Sequence, residues 1–282
     1  MLLKKVKIKR CCGDTPCCMG TRLLQQGEQT AAGPIIMQKW GPSAIPLGLA
    51  SALIPVKRRS TMKNTALSDS LNKLSGKSPF FSVIICTYNR AGIIGRALDS
   101  LAAQTMTDWE GVIIDDGSED DTRTAVQPYL RHWPLRYIQR PHAGCAVSKN
   151  AGMQAAEGHY ITFLDTDDTY LKDHLQIRKA VLTPQADIDL LHSDVTIIGD
   201  PYVPDKEDPA RRIHIRDCVV GGTFCIKRSS LGPTDRFLDR YSDDSFFLEQ
   251  FRREGKHIAK IAAPTYCYYR QGSDSICNRQ GS

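Results

Sequence analysis

From Phe80 onward, short apolar and β-branched runs alternate with segments whose apolar residues recur every three or four positions. That rhythm predicts buried parallel strands joined by crossover helices. The first strand is expected at Ser82–Cys86, followed by a helix that presents Ile94, Ala97, Leu98 and Leu101 on one face. A second strand is expected at Trp109–Ile114, then a helix opened by a capping box of Ser118 and Asp121 and shortened by Pro128. A third strand follows at Leu135–Gln139, a third helix near Ala143–Glu157 and a fourth strand at His159–Leu164. Tyr170–Leu182 reads as helix and Ile188–Ile198 as strand. The fold class is therefore α/β: an open, mostly parallel sheet flanked by helices, with ligands expected at the carboxyl ends of its strands.

Residues 1–78 break this rhythm. They mix Gly, Pro, Ser, Gln and basic residues without a sustained period and read as a poorly ordered N-terminal extension. The expected division is an extension over 1–78 and a single α/β domain over 79–282. Met62 offers a second start that would keep the whole of that domain. Charge sharpens the boundary: residues 1–63 carry 11 Lys/Arg against Asp14 and Glu28, and the remainder carries 26 against 29 acidic residues. The net charge of +6 thus belongs to the extension. No nucleic-acid-binding motif accompanies it, so nucleic acid is not an expected partner. The apolar stretch Ala44–Val56 is too short to span a bilayer and holds two prolines. A cytoplasmic protein is expected, with peripheral membrane contact through Lys57-Arg58-Arg59 left open. Of the ten cysteines, Cys86, Cys145, Cys218, Cys225 and Cys267 read as buried free thiols. The doublets in CCGDTPCC have thiolate density suited to a soft metal but lack the spacing of a zinc site.

Polar clusters stand where the strands end. TYN follows the first strand, DDGSEDD the second and DTDD the fourth. Asp165, Asp167 and Asp168 are three carboxylates within four positions, which a hard divalent cation would relieve of mutual repulsion; an acidic turn capping the next helix is the alternative. Asp115 and Asp116 could accept from a nucleobase imide or a ribose hydroxyl, or belong to an ordinary strand-to-helix turn in which Gly117 takes a positive φ. Asp243 and Asp244 could supply a general base or simply favour a helix N-terminus.

Taken in order, SVIICTYNR, IIDDGSEDDT, AGCAVSKNAGMQAAEGHYITFLDTDD, GGTFCIKRS and SDDSFFLEQFRREGK resemble the inverting family 2 glycosyltransferases, the group similar to bacterial spore-coat and polysaccharide-assembly transferases. The resemblance runs from about Phe80 to Arg270. It implies a GT-A fold, which is Rossmann-like. The implied activity is transfer from a nucleotide-sugar donor, commonly a UDP-sugar, to an acceptor hydroxyl, with Mg²⁺ or Mn²⁺ as cofactor. Cys86, Thr87, Tyr88 and Asn89 would line the nucleotide site, with Asp116 meeting the base. Asp167 would contact the ribose and Asp168 the metal, with Asp165 supporting them. Aligned to Gly255, the catalytic aspartate is Asp244; counting from Phe246-Phe247 selects Asp243.

Two departures qualify the match. Lys149 stands where the family often has an arginine, so any donor contact there would be a point charge without a bidentate fork. Gln250-Phe-Arg-Arg is similar to the QxxRW signature of processive synthases, but Glu254 replaces the tryptophan, which favours a single transfer. The acceptor stays open between glycan, lipid-linked glycan and protein hydroxyl. The rival functions are a nucleotidyltransferase, which would need a Gly-rich phosphate loop after the first strand, and a nucleotide-sugar-binding protein without turnover.

Overall fold

A computed structural model describes residues 8–10 and 78–270, all within one compact unit. The cysteine doublets, the apolar stretch and basic run of the extension, its expected disorder and the C-terminal residues beyond Arg270 lie outside the described residues.

The chain builds β1 (Ile8–Arg10), β2 (Phe81–Thr87), α1 (Ile94–Ala102), β3 (Trp109–Asp115), α2 (Thr122–Leu130), β4 (Leu135–Gln139), α3 (Cys145–Ala155) and β5 (Tyr160–Phe163). It continues through β6 (Thr169–Tyr170), α4 (His174–Leu182), β7 (Leu190–Gly199), β8 (Tyr202–Pro204), β9 (Arg212–His214), β10 (Cys225–Lys227), α5 (Asp243–Arg253) and β11 (Ile258–Arg270). The main sheet runs β1-β11-β7-β10-β5-β2-β3-β4, with β6 paired to β11. β5, β2, β3 and β4 are mutually parallel, and β7 and β11 are parallel to each other. β10 is antiparallel to both of its neighbours and joins the two halves. β8 and β9 form a separate antiparallel hairpin.

β2 and β3 are mostly apolar and are buried nearly along their whole length because both faces are covered. On one face, Ile94, Ala97, Leu98 and Leu101 of α1 pack with Phe81, Val83, Ile85 and Ile113. On the other, Ala146 and Met153 of α3 meet Ile84, Val112 and Ile114. The winding runs from β2 to β3 and β4 on one side, then returns to β5 on the other. That reversal at β2 is a topological switch point, which opens a crevice beyond the strand ends.

Three expectations change. The segment read as helix from Tyr170 begins instead as β6, and the helix starts at His174. Tyr170 is drawn into the sheet, where its hydroxyl donates to the Phe163 carbonyl at 2.6 Å and its ring stacks on His174. At α2 the expected capping box does not form. The Ser118 hydroxyl accepts from the Asn89 amide at 2.9 Å, and Asp120 accepts from the Thr122 amide at 3.0 Å. Of the five cysteines read as buried, Cys225 and Cys267 are buried, whereas Cys86, Cys145 and Cys218 are half-buried; all five are free thiols.

Candidate active site

The strand ends open onto a cleft of about 1020 Å³. Cys86, Thr87, Tyr88, Asn89, Asp116, Lys149, Asp165, Asp167, Asp243 and Asp244 all line it. Ten side chains picked from four sequence segments therefore line one cleft.

At the end of β2, the chain turns through Asn89 with φ 52°. Asn89 holds the turn by accepting from the Glu119 amide at 2.8 Å through Oδ1. Tyr88 projects to the surface and stacks on His142, with ring centroids 4.1 Å apart. Thr87 is buried, and its hydroxyl has no hydrogen-bond partner; the same holds for Ser148 on α3, which also faces the cleft. Two orphaned buried hydroxyls at a cleft wall are groups that a polar ligand would satisfy. Cys86 lies beside them, its thiol pushed well up by burial and by nearby Cys145, so it is protonated and not a nucleophile.

The two aspartates after β3 divide. Asp115 is fully buried and structural, accepting from the Ser118 amide at 2.8 Å and from the Tyr137 hydroxyl. Asp116 lines the cleft, and its oxygens accept from the Ala143 and Gly144 amides at 2.9 and 2.8 Å. His142 Nδ1 lies 2.8 Å from Asp116 Oδ2. Gly117, with φ +82°, lets the backbone pass under the loop; a Cβ there would lie 2.9 Å from the His142 nitrogen. Oδ1, which accepts from the Ala143 amide, keeps a second lone pair for an incoming donor.

The Asp165–Asp168 turn presents Asp165 and Asp167 to the cleft. The Asp167 carbonyl accepts from the Arg96 guanidinium, which ties the turn to α1. Burial pushes the Asp165 carboxyl up, Lys149 opposes that, and Asp167 and Asp243 add to it. Asp168 is placed differently from its neighbours. It is fully buried and is not among the cleft-lining residues; its carboxylate accepts from the Tyr266 hydroxyl at 2.7 Å and from the Tyr269 amide at 2.8 Å. Among the described residues, no group of three or more His, Cys, Asp or Glu side chains is arranged to hold a metal ion. The neighbouring carboxylates of Asp165 and Asp167, both turned to the cleft, nevertheless fit a hard cation that takes most of its oxygen ligands from a bound phosphate and water.

Across the cleft, Asp244 opens α5. Its oxygens accept from the Gly221 amide at 3.0 Å and its neighbour Ser245 at 2.7 Å. Burial, then the Asp243 charge, raise the Asp244 carboxyl to about 6, despite Lys149 and those two amides. Asp243 is instead ion-paired, with its Oδ2 2.8 Å from Lys149 Nζ. Gly221 opens the GGTFCIKRS segment of the resemblance, whereas Tyr266 and His142 enter the site without having been singled out in the sequence. Only their distance in the chain hides them: Tyr266 reaches Asp168 across 98 positions.

An open α/β sheet with its acidic cleft at the switch point is the arrangement of a GT-A-type transferase. Residues 82–200 match the family model for glycosyl transferase family 2. Over 127 residues it is 36% identical to an uncharacterized glycosyltransferase of Nostoc sp., covering 44% of this chain and 39% of that one. TuaG of Bacillus subtilis, whose name places it provisionally in teichuronic acid biosynthesis, is 36% identical over 101 residues, 35% of this chain and 40% of TuaG. The chain spans between one fifth and two fifths of the length of such relatives. Among solved structures, TarS 1–349 of S. aureus in complex with UDP-GlcNAc superposes with TM-score 0.57 at 23% identity, covering 70% of this chain and 61% of that one. A mannosyltransferase from Pyrobaculum calidifontis, in complex with GDP-Man and Mn²⁺, superposes with TM-score 0.56 at 21% identity, covering 72% of this chain and 60% of that one. No helix among the described residues is long and apolar enough to cross a membrane.

Proposed function

We propose that the protein transfers a sugar from a nucleotide-sugar donor, a UDP-sugar in the first instance, to an acceptor hydroxyl with inversion at the anomeric carbon. One observation carries the reading: a carboxylate poised near neutrality, Asp244, shares a cleft with the acidic groups that suit a nucleotide diphosphate. Asp116 accepts from the imide of the base, in the space between Tyr88 and the Ala143-Gly144 turn. The hydroxyls of Thr87 and Ser148 add donors to the nucleotide. Asp244 removes the acceptor proton as that oxygen attacks opposite the leaving diphosphate, and a single displacement inverts the centre.

Asp165 and Asp167 would hold a divalent cation from the cleft side, with Asp168 bracing the turn from beneath; Mg²⁺ or Mn²⁺ bound there supplies positive charge to the developing diphosphate. Support comes from the fit of those carboxylates and from the Mn²⁺ bound by the mannosyltransferase neighbour. A place in cell-surface glycan or polysaccharide assembly rests on the name of TuaG. The test is to incubate the full chain with UDP-, GDP- and dTDP-sugars, in Mn²⁺ and in EDTA, and to follow nucleoside diphosphate release. Metal-dependent release from a UDP-sugar is expected. Nucleotide binding without release, across candidate acceptors, would instead identify a binding protein, and pyrophosphate release a nucleotidyltransferase.

A further inference from the structure

We infer that Lys149 and Asp243 form a positioning pair for Asp244, so that Lys149 serves the proton-removing step and not the donor phosphates. This rests on Asp244 as the base.

Lys149 projects from α3, and its ammonium sits 2.8 Å from Asp243 Oδ2 with only 15% and 20% of the two side chains exposed. The face of Phe237 closes another side of the ammonium at 4.8 Å. The next residue, Asn150, donates to the Phe237 carbonyl at 2.9 Å and accepts from the Phe237 amide at 2.8 Å. Two successive side chains of α3 thus grip the loop that enters α5. That loop needs holding, because Ser242 immediately before the helix is left-handed at φ 60°, a conformation a non-glycine residue keeps only when its surroundings impose it. Asp243 passes the constraint on: its second oxygen accepts from the Asp244 amide at 2.9 Å. An ammonium spent on a desolvated partner in this way is not free to meet a phosphate without leaving Asp243 buried and unpaired.

The same pair sets the charge around the base. On α5, Asp243 raises the Asp244 carboxyl; from α3, Lys149 lowers it; the Gly221 amide also favours the ionised form. Asp165 raises the Lys149 ammonium, and Asp243 in turn raises Asp165. Lys206, from the β8–β9 segment, is held by Ser245 and Glu249 one turn along α5, and Arg240, Arg252 and Asp205 line the same cleft. Removing either member of the pair therefore perturbs Asp244 in opposite directions.

The experiment measures the pH dependence of kcat/KM for nucleoside diphosphate release, with water or an identified acceptor, alongside UDP affinity by calorimetry. Lys149→Met is expected to move the acid limb to higher pH by about one unit, a roughly tenfold loss below the limb, and Asp243→Asn to move it lower. The double variant is expected to return the limb toward that of the wild type, and Lys149→Arg to leave it in place. UDP affinity should stay within about threefold throughout. A merely structural role would lower activity at every pH without opposed shifts. Loss of UDP affinity by about tenfold or more in Lys149→Met with an unmoved limb would overturn the inference in favour of a phosphate contact. If Lys149→Met fails to fold, an acid limb that stays put or rises in Asp243→Asn overturns it equally. Asp244→Asn separates the two claims: retained turnover in that variant would sink the base assignment itself.

Discussion

At Asp244, burial and hydrogen bonding pull against each other, and the balance falls at a useful place. Desolvation disfavours the charged carboxylate, two backbone amides favour it, and the result near 6 leaves a group mostly ionised at neutral pH yet able to take a proton. If Asp244 is the base proposed above, it must be deprotonated to act, so activity is expected above about 6 and is expected to be lost as pH falls through that value. The plot of log kcat/KM is expected to climb with unit slope below about 6 and flatten above it. Asp244→Asn should lower kcat by about 10²–10⁴-fold with UDP affinity retained, and the acid limb should vanish with it. Single-turnover measurements on that variant check both. In the sequence, Asp243 and Asp244 were separable only by counting from two different landmarks. Their chemistry differs because of partners that lie far off in the chain: Lys149 takes Asp243 across 94 positions, and Gly221 takes Asp244 across 23. The three aspartates of DTDD illustrate the same limit. Spacing marked the cluster, but only the fold turns Asp165 and Asp167 to the cleft and buries Asp168 under Tyr266 and Tyr269.

Among the elements, the short turn Gly221–Thr223 connects the two sides of the cleft. The Gly221 amide holds Asp244, while Gly222 lies flat against Tyr266, whose hydroxyl reaches Asp168 at 2.7 Å and Asp165 at 3.3 Å. A Cβ on Gly222 would fall 2.3 Å from the Tyr266 ring, which is fully buried and cannot withdraw. Gly222→Ala should therefore destabilise the protein by about 1–3 kcal/mol through overpacking. Activity should fall further than the lost stability explains, because the displaced ring carries its hydroxyl away from both carboxylates. Thermal melting and kcat compared below the melting transition would check this; equal activity in the folded fraction would exclude the link. Elements themselves were legible where periodicity was strong. β4 fell on its expected residues, and the face of α1 was read residue by residue. β11 was missed because Pro264 and two alanines interrupt its apolar pattern. The sheet accommodates the proline where register shifts between Ile261 and Tyr266, and the Pro264 carbonyl still accepts from Thr196. β6 was missed for a different reason: two residues cannot display a period.

On the scale of the whole molecule, the sheet divides at β10 into a half that carries Thr87, Asp116, Asp165 and Asp167 and a half that frames the other side of the cleft. The family match ends at residue 200, after β7 and before the β8–β9 hairpin. The β8–β9 hairpin and the following loop then contribute Val203, Pro204, Lys206, Ile213 and Ile215 to the cleft wall. This wall is fastened to α5: Lys206 lies 2.6 Å from Glu249 and 3.2 Å from Ser245, and the Tyr241 hydroxyl just before the helix donates to the Pro204 carbonyl at 2.8 Å. Donor recognition at Asp116, Asp165 and Asp167 and acceptor recognition at this wall are predicted to be separable by mutation. Lys206→Ala would release the wall from α5 while leaving the nucleotide side intact. With an acceptor identified, the variant is expected to raise the acceptor KM by about tenfold, the worth of one partly buried charged contact of about 1.4 kcal/mol, with UDP affinity and release of nucleoside diphosphate to water unchanged. A parallel rise in the donor KM would mean that the wall closes over the nucleotide as well, and that the two halves of the sheet act on the donor together.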